Sequence, residues 1–171
     1  TVMGAHVAAS PNHITGNANP LRARFNVACG GVLGYELDTT KFTDEEKEEV
    51  KKQVAFYKEN RKLLQFGDHY RLHAQGVEGF ITVAKDKGAA VAVVNVVELV
   101  PAPPLYTVRF KGLNPSAVYE VSAEGCESFV AGGDVLMQGD FPLKGMFSYA
   151  EVAANSGCIL SRMFVFRKVK N

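Results

Sequence analysis

The sequence predicts an α+β chain: a mixed helix–strand–helix segment up to Phe66, then an antiparallel β-sandwich. Three observations predict it. A capped amphipathic helix begins at Asp44 and runs to about Leu64. From Gly67 onward, short runs of β-formers alternate with turn signals. The composition, 47% hydrophobic and 22% charged, is that of a chain able to bury a core.

The elements follow in order. Thr1 to Asn19 is rich in Gly, Ala, Ser, Asn and His, holds Pro11 and keeps no period, so it reads as a short strand end and a long loop. Pro20 suits the first turn of a helix, where its missing N–H is not needed, and Asn19 stands where a cap belongs. Leu21, Phe25 and Ala28 recur at helical spacing, and Gly30-Gly31 ends the helix. Val32, Leu33, Tyr35 and Leu37 make a short apolar strand ending at Asp38. Thr43-Asp44-Glu45-Glu46 is a capping box, in which each side chain reaches the other's free N–H. Acids crowd the first turns of that helix and bases the last, as the helix dipole favours. Val50, Val54, Tyr57 and Leu64 form one face. These elements cannot enclose a core alone and need a neighbouring sheet.

Strands are expected at Tyr70 to His73, Phe80 to Ala84, Ala90 to Val97, Tyr106 to Lys111, Val118 to Ser122, Asp134 to Met137 and Met163 to Val169. Alternation is clean in Tyr106 to Lys111, and Gly112-Leu113-Asn114-Pro115 is a turn. Strands at this spacing suggest an antiparallel sandwich. Its expected core holds Val91, Val93, Val108, Phe110, Tyr119, Val121, Phe164 and Phe166. Pro101 to Pro104 reads as a connection between strands. The domain division is 1–66 and 67–171.

The formal net charge of +1 gives no electrostatic reason to expect nucleic acid or an anionic membrane. The longest apolar stretch, Ala89 to Val94, falls far short of the roughly 20 residues of a spanning helix. Three widely spaced cysteines, Cys29, Cys126 and Cys158, fit small core residues in a reducing compartment, so a cytoplasmic location is expected. The chain opens at Thr1 inside what reads as ordered sequence, and is expected to be truncated.

Four constellations bear on chemistry. His6, Ser10, Asn12 and His13 share one loop region and can form an active-site wall, or bond the loop's own backbone. No third ligand stands at zinc spacing beside the two histidines. Glu36 and Asp38 share a strand face near its C-terminal end, and glycoside hydrolysis uses two carboxylates about 5–5.5 Å apart in retaining enzymes. Gly132-Gly133-Asp134 reads as a tight turn into a strand. Ser156 to Ser161 lacks a nucleophile-elbow pattern.

Several motifs carry a resemblance. Met3-Gly4-Ala5-His6-Val7 with Ser10-Pro11-Asn12-His13 resembles the loop after the seventh barrel strand of family 36 α-galactosidases. Arg24-Phe25-Asn26-Val27-Ala28 and Leu33-Gly34-Tyr35-Glu36-Leu37-Asp38 are similar to the following helix and the eighth strand. Glu45 to Lys47, Tyr57 to Leu64 and Gln65-Phe66-Gly67-Asp68 resemble the last barrel helix and its exit. Gly112-Leu113-Asn114-Pro115, Tyr119-Glu120-Val121, Gly133-Asp134 and Leu136-Met137 match the sandwich. Two departures stand out: His13-Ile14-Thr15-Gly16-Asn17 replaces the family's His-Gln-Thr-Gly-Arg, and Gly145 to Cys158 is longer than usual.

The resemblance implies that 1–66 is the end of a catalytic (β/α)8 barrel and 67–171 the C-terminal sandwich. It implies a parent that hydrolyses terminal α-galactosides, such as melibiose or raffinose, with retention. The family's two catalytic aspartates lie in motifs upstream of this chain, and Glu36 and Asp38 match non-catalytic positions. No catalytic residue is therefore expected here, and the chain alone is expected to be inactive. His6, Asn12 and His13 remain substrate-binding candidates; no metal and no cofactor are expected. Expected partners are the α-galactoside, through the parent, and a second copy of the chain through 1–66, where an unpaired strand and the helix stripe would be left open. The rival expectation is a stand-alone carbohydrate-binding or structural sandwich, which would present exposed aromatics; the chain has no Trp.

Overall fold

Two parallel strands begin the structure, a computed structural model that describes residues 3–98, 105–143, 147 and 159–169. β1 (Gly4–Ala8) pairs with β2 (Val32–Glu36) from Gly4↔Val32 to Ala8↔Glu36. Between them runs α1 (Leu21–Ala28), and after them a short 3-10 turn (Thr39–Lys41) and α2 (Asp44–Phe66). This is two consecutive β/α units with parallel strands. Both arms of the expected capping box at Thr43 and Glu46 are present. Asn19 does not cap α1: Pro20 occupies the cap position, and the Asn19 Oδ1 accepts instead from Ile159 N–H at 3.3 Å.

The rest is built on one antiparallel sheet in the order β3 (Asp68–Ala74), β4 (Val77–Val83), β5 (Ala89–Val96), β10 (Leu160–Lys168), β7 (Val118–Ala123) and β8 (Phe129–Gly132). A two-stranded sheet of β6 (Thr107–Val108) and β9 (Phe141–Pro142), with α3 (Gly133–Gln138), accompanies it. Phe110, Leu113, Leu136 and Leu143 join Ile81, Val94, Tyr119, Val121, Phe164 and Phe166 in the sandwich core.

Three expectations are corrected here. The Tyr106 to Lys111 strand shrinks to Thr107–Val108. Its in–out burial persists, but Phe110 N–H donates to the Leu136 carbonyl of α3 at 3.0 Å, so no strand partner is there to extend the ladder. Asp134 to Met137 is helical, not extended. A short apolar run carries no period able to separate the two states. Gly133 must also lie against Asn114, whose carbonyl oxygen is 2.1 Å from where a Cβ would stand.

The third correction concerns the core. Val91 and Val93 do not face the sandwich; they pack with Phe25, Ala28, Tyr57 and Leu64 beneath α1 and α2. Their neighbours Ala90, Ala92, Val94 and Val96 fill the sandwich side. Thus β5 is buried on both faces, and the sheet is a wall shared by two cores. The α2 stripe is consequently not left open. Tyr57 and Leu64 are buried in the same chain, together with Gln53 and Asn60, while Val50 and Val54 are half-buried. Cys29 is buried and Cys126 half-buried; Cys158, Pro101 to Pro104 and most of Gly145 to Cys158 lie outside the described residues. Among the described residues no helix is long and apolar enough to cross a membrane.

Candidate functional site

The C-terminal ends of parallel strands are where a β/α barrel places its chemistry, because loops rather than helix ends meet there. In this chain that place is the end of β1 and β2 with the 9–19 loop. Alternation fixes what faces where. Ala5, Val7, Leu33 and Tyr35 turn toward α1 and α2. His6, Ala8, Gly34 and Glu36 share the opposite face.

The loop is fastened by its own polar groups. Asn12 Oδ1 accepts from the N–H groups of Ile14 at 3.0 Å and Thr15 at 2.9 Å. The Asn12 N–H donates to the Asn17 carbonyl at 2.9 Å, and Gly16, with φ +70°, donates back to the Asn12 carbonyl at 2.8 Å. Only a residue free of a Cβ adopts that φ without strain. The Asn19 N–H donates to Ser10 Oγ at 3.2 Å. Arg24 then ties loop to strand: Nη1 donates to the Ala8 carbonyl at 2.5 Å and Nε to the Asn19 carbonyl at 3.0 Å. Burial lowers the Arg24 pKa, and Glu46 and Glu49 oppose that.

These groups border a cavity of about 260 Å³, lined by His6, Ser10, Asn12, Asn17, Asn19 and Arg24 among others. Its polar members, mostly neutral donors and acceptors that can meet hydroxyl groups, stand beside an apolar part formed by Ala8, Ala9, Ala23, Val27 and Ile159. A larger groove of about 890 Å³ runs between α1, the first half of α2 and the β7–β10 side of the sheet. Its floor includes Phe25, Phe56, Met163 and Val165, and it lies away from the strand ends.

The sequence-predicted residues fall as follows. His6 Nδ1 is 3.1 Å from Glu36 Oε2. Asn12 organises the loop and borders the cavity; His13 is exposed. Glu36 and Asp38 serve different local ends. Glu36 stands beside His6, whereas Asp38 Oδ1 accepts from the Thr40 hydroxyl at 2.6 Å and Thr40 N–H at 3.1 Å, capping the 3-10 turn. Those bonds hold the Asp38 carboxyl below the usual carboxylate range, with Lys41 assisting. Among the described residues no cluster of His, Cys, Asp and Glu could hold a metal ion. Sequence reasoning did not single out Arg24 or Gly34. The second carried a readable signal, since a glycine inside a strand often marks a close approach.

Comparison with known proteins fits this geometry. The family described as Melibiase matches residues 1–67, and the glycosyl hydrolase family 36 C-terminal domain matches residues 78–152. Alpha-galactosidase AgaA of Geobacillus stearothermophilus is 44% identical over 140 residues, covering 80% of this chain and 19% of its own length. The crystal structure of the alpha-galactosidase from Lactobacillus brevis aligns with 99% of this chain and 23% of its own, at TM-score 0.85 and 34% identity. A variant of AgaA in complex with raffinose aligns with 98% of this chain and 22% of its own, at TM-score 0.83 and 38% identity. The chain thus spans about a fifth of the length of the relatives it matches. With two adjacent family matches and two β/α units leading into a sandwich that superimposes on those enzymes, this chain belongs to glycoside hydrolase family 36.

Proposed function

We propose that the chain is the C-terminal part of a retaining α-galactosidase that removes terminal α-galactosyl units from sugars such as melibiose or raffinose. In this reading 1–66 completes the barrel and carries part of the active-site rim, and 67–171 is the accessory sandwich. The two catalytic aspartates lie elsewhere in the enzyme, one attacking the anomeric carbon and the other protonating the leaving oxygen and then activating water. The observation that carries the reading is the alignment of nearly the whole chain with family 36 α-galactosidases, one of them in complex with raffinose. The local engagements of Glu36 and Asp38 support placing catalysis elsewhere. Among the described Phe and Tyr residues only Phe66, at the end of α2 and 67% exposed, stands open to solvent, which argues against a stand-alone sugar-binding sandwich.

Cytoplasmic residence belongs to the same reading, supported by the buried thiol of Cys29, whose pKa burial pushes up to about 12; cell fractionation tests it. Self-association through 1–66 also belongs to it. Its support is the β1–β2 pair, to which no further strand is hydrogen-bonded among the described residues. Light scattering at micromolar concentration tests that part, and a stable monomer overturns it.

The activity is tested in two steps. The isolated chain should not turn over an aryl α-galactoside; turnover abolished by Asp38→Asn would overturn the assignment. A chimera in which this chain replaces the matching segment of AgaA should hydrolyse raffinose.

A further inference from the structure

His6 is exposed, and its ring rests on a gap in the neighbouring strand. It lies across β2 beside Gly34: a Cβ at that position would stand 2.6 Å from His6 Cδ2 and 3.2 Å from Nε2. Any side chain at 34 would push the ring away. Beyond Gly34 the ring meets Glu36, with Nδ1 3.1 Å from Oε2. The strand register explains the reach, because His6 pairs with Gly34 and Glu36 is the next residue on the same face. The carboxylate beside Nδ1 favours this ring orientation, leaving Nε2 to serve a ligand. Both side chains lie on the strand face turned away from α1 and α2, which in a closed barrel is the interior. His6 stands one pleat below the end of β1 and borders the cavity beneath the 9–19 loop.

We propose that His6, aimed by Glu36 across Gly34, hydrogen-bonds through Nε2 to a hydroxyl of the terminal galactosyl ring and helps set substrate specificity. Glu36 acts through His6 and is a positioning residue. The inference rests on the α-galactosidase reading above. It assigns no proton transfer to His6; the imidazole binds and orients. Gly34 is the third part, since its missing side chain is the space the ring occupies.

The test uses the AgaA chimera carrying residues 1–171. His6→Ala should lower kcat/KM on melibiose about 10- to 100-fold, the range expected when a directed hydrogen bond to substrate is lost. Among monodeoxy-galactosides, one should show almost no further loss on His6→Ala, because the hydroxyl that His6 meets is already gone. Glu36→Gln should raise KM about 3- to 10-fold with kcat within threefold, and His6→Ala/Glu36→Gln should be no worse than His6→Ala. Thermal midpoints should stay within about 2 °C. An active chimera whose kcat/KM is unchanged by His6→Ala, or in which every deoxy substrate suffers equally, overturns this inference while the α-galactosidase reading stands. If the chimera does not turn over, binding of 1-deoxygalactonojirimycin is measured by calorimetry. Binding weakened by His6→Ala supports the inference; unweakened binding overturns it, and no binding at all overturns both.

Discussion

The hydroxyl of Tyr57 donates to the Gly31 carbonyl at 2.8 Å and accepts from the Leu33 N–H at 3.2 Å. Gln65 Nε2 donates to the same oxygen at 2.8 Å. One side chain of α2 therefore satisfies two backbone groups at the start of β2, where the parallel ladder begins. Tyr57 also buries its ring beside Phe25, Leu64 and Val93, so the helix is located by an apolar body and a polar tip together.

Tyr57→Phe removes the tip and keeps the body. The Gly31 carbonyl and Leu33 N–H are left without that partner in a buried site. We expect a loss of about 1–3 kcal/mol, read as a lower urea midpoint at unchanged slope. Tyr57→Ala, which also empties the cavity, should cost about 3–5 kcal/mol. An unchanged midpoint for Tyr57→Phe would show that the three hydrogen bonds do not contribute.

Val93 tests the shared wall. In the whole chain it is buried under α1 and α2, so Val93→Asp should cost more than about 3 kcal/mol. In a piece comprising only 67–171 the same face meets water, together with Val91, Phe80 and Met163. There Val93→Asp should cost little, reduce binding of an apolar dye and raise solubility. Denaturant midpoints and dye fluorescence for the four proteins decide it; equal cost in both contexts would mean the face is not covered by the helices.

The sequence made the parallel–helical first part and the antiparallel second part legible, because long periodic segments and caps state their conformation locally. Thr43 with Glu46 is the clearest case. It could not tell which face of β5 meets which core. Ala90 to Val96 is nearly all apolar, and a strand buried on both sides has no polar face to set its register. The helix at Gly133–Gln138 was missed because six residues are too few to show a period. At the candidate site, His6 and Asn12 were visible as residue types, but the approach of Glu36 to His6 depends on pairing between strands distant in sequence.

Glycines give a sharp contrast. A Cβ at Gly133 would stand 2.1 Å from the Asn114 carbonyl oxygen and 3.1 Å from the Tyr119 ring. Backbone at that distance must move, so Gly133→Ala should cost at least about 1–3 kcal/mol and shift α3 against the sandwich. At Gly4 nothing lies within 4 Å, and Gly4→Ala should leave the midpoint unchanged. Equal midpoints for the two variants would contradict the close packing of α3 on the 112–115 turn.

Asp68 links the start of β3 to the turn between β4 and β5, and this predicts a stability that falls at both ends of the pH scale. Its carboxylate bonds Lys85 and, at 3.0 Å, Lys87. Those two bonds hold the Asp68 carboxyl below its ordinary range, and Asp68 in turn raises Lys87 above the usual lysine value. For the depressed carboxyl, the contribution is complete above its unfolded pKa and disappears as pH falls through the folded value. For the raised lysine, it is complete below its unfolded pKa and disappears as pH rises through the folded value. Since Asp68 is the first cause of the Lys87 shift, Asp68→Asn should flatten both limbs, whereas Lys87→Met should flatten mainly the alkaline one. His69 adds a separate acid step. Burial lowers its pKa, so the neutral ring, stacked on Phe80 with centroids 5.1 Å apart, is preferred in the folded state. Charging it as pH falls below about 6.5 therefore destabilises the chain before Asp68 titrates. Thermal midpoints from pH 3 to 11 for the parent, Asp68→Asn, Lys87→Met and His69→Gln separate these steps. An acid limb untouched by both Asp68→Asn and His69→Gln would place the acid sensitivity elsewhere in the chain.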